Sequence, residues 1–348
     1  MDILLGIANE HYSTGVREMA CRVGLNEAFV QASDMLARTA QLSIGHSALR
    51  NLVEREGQRA QRAFDHGEFG PDWTSMDCTD QTVIVGADGV MIPLVTDEQK
   101  KKRRATEKAV RQSQGLPTRR KRGRPKSGSD GPYKEAKLVS FYDSDKSHKY
   151  AIATGGNHEK LGRLMRREAK KIRIDLAKIK YSITDGAEWI AKQLGIQLPM
   201  LDANILDYYH LKEHIVLASQ VLYPEGPGKA HAWQDEMLEY IWMHGSLMML
   251  DKLGNYLRCH RTGPKHEALK SLQGYVAKRV AMTDYPAFRQ QGYDCGSGPT
   301  ESFCGCLTIR LKGRGMKWDS DNALNIMALG TLYYSNLWNY YWDKQRAA

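Results

Sequence analysis

TVIVGADGVMIPLV, residues 82 to 95, is β-branched and almost continuously apolar. A run of this kind reads as a strand buried on both faces. One charge, Asp88, interrupts it. Two more strand candidates follow, EAKLVSFYD (135–143) and KYAIATG (149–155), spaced for an antiparallel meander with the first. Next come a basic amphipathic helix, HEKLGRLMRREAKKI (158–172), and IKYSITDGAEWI (179–190), an apolar strand ending at Asp185-Gly186. A helix over residues 187–195 then precedes ANILDYYHLKEHI (203–215), a short strand running into a helix at Asp207. This order predicts an α/β fold whose mixed sheet is a three-stranded meander continued by parallel crossovers, as in RNase H.

On either side of this core the pattern is helical. TGVREMACRVG (14–24), NEAFVQASDMLARTA (26–40) and IGHSALRNLVEREGQRAQRAF (44–64) place apolar residues three and four apart, with Ser43 as the expected N-cap of the third helix. A tight turn at residues 41–43 fits either a helix-turn-helix, with His46, Arg50 and Asn51 toward a groove, or a plain three-helix packing module. Residues 212–290 read as an inserted helical domain rich in aromatics and Met. The closing stripe ALNIMALGTLYYSNLWNYYW (323–342) reads as core packing against the sheet.

Charge is distributed unevenly. The formal net charge is +10, from 50 Lys and Arg against 40 Asp and Glu. Thirteen of the basic residues and one acidic residue lie in residues 100–126, so that segment carries +12 and the remainder −2. Such a segment calls for a polyanionic partner or is a solvated linker; charge alone does not choose among DNA, RNA and an anionic membrane surface. Within it Arg122-Gly-Arg124-Pro resembles an AT-hook, although nonspecific phosphate contact needs less. The composition, 42% hydrophobic and 9% aromatic, excludes global disorder. No stretch approaches the ~18 apolar residues of a membrane span, and no export signal opens the chain, so a cytoplasmic protein with six reduced cysteines is expected. No Gly-rich loop ends in Gly-Lys-Ser/Thr, which disfavours a nucleotide-hydrolysing motor.

Three acidic residues occupy positions that packing does not explain. Asp88 interrupts a strand, Asp185 ends another before a glycine, and Glu301 follows the Gly296-Ser297-Gly298 turn at a helix start. A buried carboxylate is costly unless paired or bound to a cation. Three converging carboxylates suit hard, oxygen-loving Mg²⁺, and a pair of such ions serves in-line phosphoryl displacement.

VGADGVMIPL, SITDGAEWI, ILDYYHLKEHI and especially GSGPTESFCGCLTIRLKGRGMKW with its aromatic tail resemble the DDE transposases of bacterial insertion sequences, in particular the ISKra-type family with its Mutator-like layout. The resemblance spans roughly residues 80–343. It implies that Asp88, Asp185 and Glu301 form a triad binding two Mg²⁺, for which Mn²⁺ substitutes. It also implies that Asp207 and His210 form an auxiliary Asp-x-x-His signature, although the spacing of Asp207, His210 and His214 also permits a transition-metal site. DNA contacts are expected from Arg50, Arg122, Arg124, Arg310, Lys312, Arg314 and Lys317. Trp318 is either a core residue or a platform for an unstacked base.

The implied organisation is a helical DNA-binding module over 1–70 and an RNase H-like core over 78–211 with a basic disordered insertion at 97–133. An all-α insertion follows over 212–290, and the last core helices, with the Glu, over 291–348. The implied partners are terminal inverted repeats and target DNA, bound by a homodimer or higher oligomer in the cytoplasm or on the nucleoid, without a membrane. Gly330 and Cys295 depart from the family pattern, at positions away from the triad. A structure-selective nuclease of the same fold, or a regulator whose carboxylates are inert, remain alternatives. If the basic segment holds DNA, deleting residues 100–126 will weaken DNA affinity and flatten its salt dependence while far-UV circular dichroism still reports a folded chain. An unchanged salt slope would remove that role.

Overall fold

The computed structural model describes residues 11–117 and 127–347. Three helices come first: α1 (Thr14–Asn26), α2 (Phe29–Ala40) and α3 (His46–His66), with a short α4 (Ser75–Cys78). Gly45, not the expected Ser43, caps α3. Gln41 ends α2 in the left-handed region, Ile44 is drawn into the core, and the Ser33 hydroxyl donates to the Ile44 carbonyl at 2.6 Å. The next helix can therefore begin only beyond Ile44.

β1 (Thr82–Pro93) then leads into α5 (Asp97–Ser113). The expectation of a disordered insertion over 97–133 is corrected here: its first half is helical, although no residue of α5 is buried. Local chemistry accounts for the helix. Thr96 and Gln99 form a reciprocal capping box, both bonds 3.3 Å, and the helix sequence contains neither Gly nor Pro. Arg122 and Arg124 lie outside the described residues.

The meander continues with β2 (Tyr133–Asp143) and β3 (Lys149–Thr154), followed by α6 (His158–Ile172), β4 (Ile179–Thr184), α7 (Glu188–Gln197) and β5 (Ala203–Leu206). These strands form one mixed five-stranded sheet in the order β3-β2-β1-β4-β5. β1, β2 and β3 pair antiparallel, and β4 and β5 extend the sheet parallel to β1. Both faces are covered. Val83, Val85 and Ala87 of β1 join one hydrophobic cluster, whereas Ile84 joins the other with Tyr142, Tyr181 and Ile183.

Four helices follow the sheet: α8 (Tyr208–Leu222), α9 (Pro227–Cys259), α10 (Gly263–Ala277) and α11 (Tyr285–Gln290). α9 breaks at Gly245, whose φ of 77° suits only a residue without a Cβ. The chain then returns to the sheet through α12 (Gly298–Ile309), α13 (Ser320–Tyr334) and α14 (Trp338–Ala347). Among the described residues, no helix is long and apolar enough to cross a membrane.

The aromatic tail packs against more than the sheet. The backbone of α3 at Gly57 lies so close to Asn325 of α13 that a Cβ would stand 2.4 Å from its carbonyl oxygen. Trp338 donates to Glu18 of α1 at 3.0 Å, and Tyr341 rests against Phe69. The helices of residues 14–66 thus share one hydrophobic cluster with the sheet.

α12 is seated on β1 and β2 at Gly86, where any side chain would collide with Thr300: an added Cβ would lie 1.8 Å from its hydroxyl oxygen. The Thr300 hydroxyl in turn meets that of Ser140, which faces Gly86 across the sheet, at 2.9 Å. Replacing Gly86 by Ala must push α12 off the sheet. The expected cost is about 1–3 kcal/mol, measured by urea denaturation, with partial recovery when Thr300→Ala is added.

Candidate active site

The parallel register creates a row of carboxylates. Ala87 on β1 lies opposite Thr184 on β4, and Thr184 lies opposite Leu206 on β5. One step further along each strand comes an aspartate: Asp88, Asp185 and Asp207. Asp88 thus lies within β1, and Asp185 and Asp207 lie one residue past the ends of β4 and β5, in a sheet whose strands are about 4.8 Å apart.

Each is held differently. Asp207, fully buried, caps α8 by accepting from the Tyr209 amide at 2.5 Å. Its other oxygen accepts from the Ser297 amide at 2.7 Å and from the Ser297 hydroxyl. Asp185 accepts from the Ala187 amide at 2.8 Å and sits beside Gly186, whose φ is 74°. Asp88 accepts from the Gly89 amide at 2.6 Å and from the Cys304 thiol of α12 at 3.2 Å.

Burial raises the Asp88 carboxyl above the usual carboxylate range, and the charge of Asp185 adds to that rise. Hydrogen bonds from Cys304 and Gly89 and the nearby His210 oppose it. The Cys304 thiol is itself pushed up, by burial first and then by Asp88, so it stays protonated and donates. Glu301 lies in the first turn of α12, a place that favours an acid through the helix dipole. Its side chain is 54% exposed, with an oxygen 3.3 Å from the Ser297 hydroxyl and 3.7 Å from His210 Nε2.

Aspartates, glutamate and auxiliary histidine thus share one neighbourhood, but they are not drawn into a finished metal cage. Among the described residues, no three His, Cys, Asp or Glu side chains form a group able to hold a metal ion as they stand. As they stand, the Asp88 oxygens face Gly89 and Cys304, the Asp207 oxygens face α8 and Ser297, and Glu301 leans toward His210. His214 does not join them. It stacks on Tyr275 with ring centroids 3.6 Å apart, and burial followed by the charge of Arg279 lowers its pKa.

The helical insertion secures the end of β4. Tyr275 donates to the Asp185 carbonyl at 3.3 Å, and Arg279 donates to the Gly186 carbonyl at 3.0 Å. Sequence reasoning missed both residues, because about ninety positions separate them from Asp185 and no local pattern links the two. Cys304 and Ser297 carried a weak signal, being three residues after Glu301 and four before it, positions that meet its flank on a helix.

Of the expected DNA-contacting residues, Lys312, Arg314 and Lys317 are exposed just beyond α12. Arg50 is exposed on α3, with Glu54 3.9 Å away. Arg310 is corrected: it is buried, donates to the Gly24 carbonyl at 3.1 Å and lies between the rings of Phe29 and Trp318. It sits on the inner side of α12's end, where the N-terminal helices cover it. Trp318 is a core residue whose indole donates to the Leu311 carbonyl at 3.1 Å.

Because the folded state raises the Asp88 pKa, it binds that proton more tightly than the unfolded chain does, so the associated stability is present at low pH and lost as pH rises through the folded value. Asp88→Asn removes this penalty and keeps one acceptor oxygen for the Gly89 amide, with its NH2 group turned to the Cys304 sulfur. Thermal melts in chelator should therefore show the variant more stable than wild type at pH 7, with the gap closing toward pH 3. A variant less stable at pH 7 would contradict the assignment.

No family model matches the chain, and no curated protein matches it. Among solved structures, it is similar to a pre-cleavage Mos1 transpososome at 11% identity over 78% of each chain, with a TM-score of 0.16. A superposition that loose says nothing about the fold or activity of this chain.

Proposed function

We propose that this protein is a DDE transposase of an insertion sequence, of the ISKra type that its motifs resemble, catalysing phosphodiester hydrolysis at element ends and strand transfer into target DNA. The observation that carries the reading is Asp88 on β1 beside Asp185, which directly follows the adjacent parallel strand β4, with the Glu301 helix reaching the same site through Cys304. The strand order β3-β2-β1-β4-β5, antiparallel then parallel, is the arrangement expected of an RNase H-like core.

A divalent cation fits this donor set. Asp88 and Asp185 are neighbouring hard oxygen donors, and burial, with the charge of Asp185 added to it, raises the Asp88 pKa. Asp88, Asp185 and Glu301 would hold Mg²⁺, with Mn²⁺ as a substitute; bound there, two ions supply Lewis-acid stabilisation and a lowered pKa for attacking water. Asp207, committed to Ser297 and Tyr209, ties the start of α12 to the end of β5 and is a positioning residue in this reading. His210 steers the Glu301 carboxylate, and exposed Lys312, Arg314 and Lys317 hold strand phosphates beside it.

The same carboxylates would serve a nuclease that cuts without joining, so the test must read both steps. Wild type and Asp185→Asn are incubated with Mg²⁺ and a labelled duplex carrying the element's terminal repeat. Terminal nicking followed by strand joining, each reduced at least ~10³-fold in the variant, is expected. Cutting without joining would establish the nuclease, and binding without cleavage in Mg²⁺ or Mn²⁺ would defeat the enzymatic reading.

A further inference from the structure

A basic groove runs between α5 and the turn that follows α12. Lys102, Arg103 and Thr106 of α5 form one wall, Gly315 and Lys317 the other, and the space between them is about 560 Å³. Glu107, one helical turn beyond Arg103, is the acid among its lining residues. Lys102, Arg103 and Lys317 are exposed, and they form no ion pair among the described residues.

Backbone pairing fixes the two walls against each other. The chain leaving β1 pairs on one side with the segment at Trp318: the Trp318 amide donates to the Pro93 carbonyl at 3.1 Å, and the Val95 amide to the Trp318 carbonyl at 2.9 Å. On its other side the Ser129 amide donates to the Val95 carbonyl at 2.9 Å, and the Asp97 amide to the Ser129 carbonyl at 3.1 Å. Lys100 then ties the base of α5 to Asp319. Lys317 directly precedes Trp318, so its place opposite the first turns of α5 is set before any partner arrives.

Cations on both sides of an open groove, none of them neutralised, suit a linear polyanion. Exposed Arg314 and Lys312 continue the positive surface from Lys317 back toward α12, and the charge of Lys312 reaches the Cys304 thiol that meets Asp88. We propose that the groove seats the sugar–phosphate backbone of a nucleic acid, gripped between Lys102 and Arg103 on α5 and Lys317 on the facing turn, and leads it toward the aspartates. This rests on the nucleic-acid reading above and goes beyond it: the face of α5, and not the summed charge of its segment, makes the seat. By helical spacing Lys101 and Lys108 lie on the opposite face and take no part.

The test is fluorescence anisotropy of a short labelled duplex on the full chain in chelator, across a salt series. Lys102→Gln with Arg103→Gln should lower the slope of log affinity against log salt by about 2, and Lys317→Gln by about 1. All three together should weaken binding less than the two effects added, because each wall needs the other to hold the same backbone. Lys101→Gln with Lys108→Gln removes equal charge from the far face and should shift the slope by less than about half as much as the groove pair. Glu107→Gln should tighten binding, and far-UV circular dichroism should show each variant as helical as wild type. Absence of duplex binding by wild type, equal shifts from the two pairs, strict additivity of the two walls or no tightening in Glu107→Gln would overturn the seat. So would poly-glutamate binding as tightly as the duplex with the same dependence on the groove pair, which would assign the groove to an acidic protein segment. Binding is read without divalent cation, so the expected pattern in a protein that never cuts with Mg²⁺ sinks the transposase reading alone. Mg²⁺-dependent cleavage beside an unchanged salt slope in the groove variants sinks the seat alone.

Discussion

Like charges on neighbouring strands are the constraint to which the rest of this molecule answers. The parallel register of β1, β4 and β5 ends one residue short of Asp88, Asp185 and Asp207, so the three acids emerge at the same end of the sheet and each is accommodated where it stands. The three solutions differ in kind. Asp207 accepts from the Tyr209 amide and from the Ser297 amide and hydroxyl deep in the core, Asp185 accepts from one turn amide, and Asp88 from one amide and a weak thiol donor. The residual strain falls on Asp88, where its pKa is pushed up.

α12 gathers these solutions on one element. Thr300 presses it onto Gly86, Ser297 reaches Asp207, Cys304 reaches Asp88, and Glu301 projects beside His210. Within about two turns one helix thus touches both ends of the aspartate row. The helical insertion works from the opposite direction, with Tyr275 and Arg279 fixing the backbone around Asp185. Close packing makes these contacts interdependent, since a shift of α12 at Gly86 would move every carboxylate partner it carries.

Much of this was legible beforehand because it depends on local pattern. The apolar runs with a single acid at 88 and at 185 announced both the strands and their anomalous residues, and Gly-Ser-Gly announced the helix start before Glu301. The capping box at Thr96 and Gln99 was equally local, but the Lys and Arg content drew attention to charge and away from helix propensity. Arg310 shows the opposite limit. Nothing in RLKGRGMKW distinguishes Arg310, held against Trp318, from its exposed neighbours Lys312 and Arg314, because the rest of its cover, Phe29 and the Gly24 carbonyl, comes from more than 280 residues away. The roles of Tyr275 and Arg279 likewise exist only once the sheet and the insertion are assembled.

α5 has a property of its own. Seven Lys or Arg side chains share a 17-residue helix with three acids and no buried residue, anchored at its start by the capping box and by Lys100 against Asp319 at 2.5 Å. Without a core to hold it, this rod owes its shape to backbone propensity working against self-repulsion. Its helicity is therefore coupled to whatever gathers around it: counterions or a polyanion relieve the repulsion and stiffen it, while dilute salt loosens it. Any such change in α5 arises three residues from the end of β1, the strand that carries Asp88.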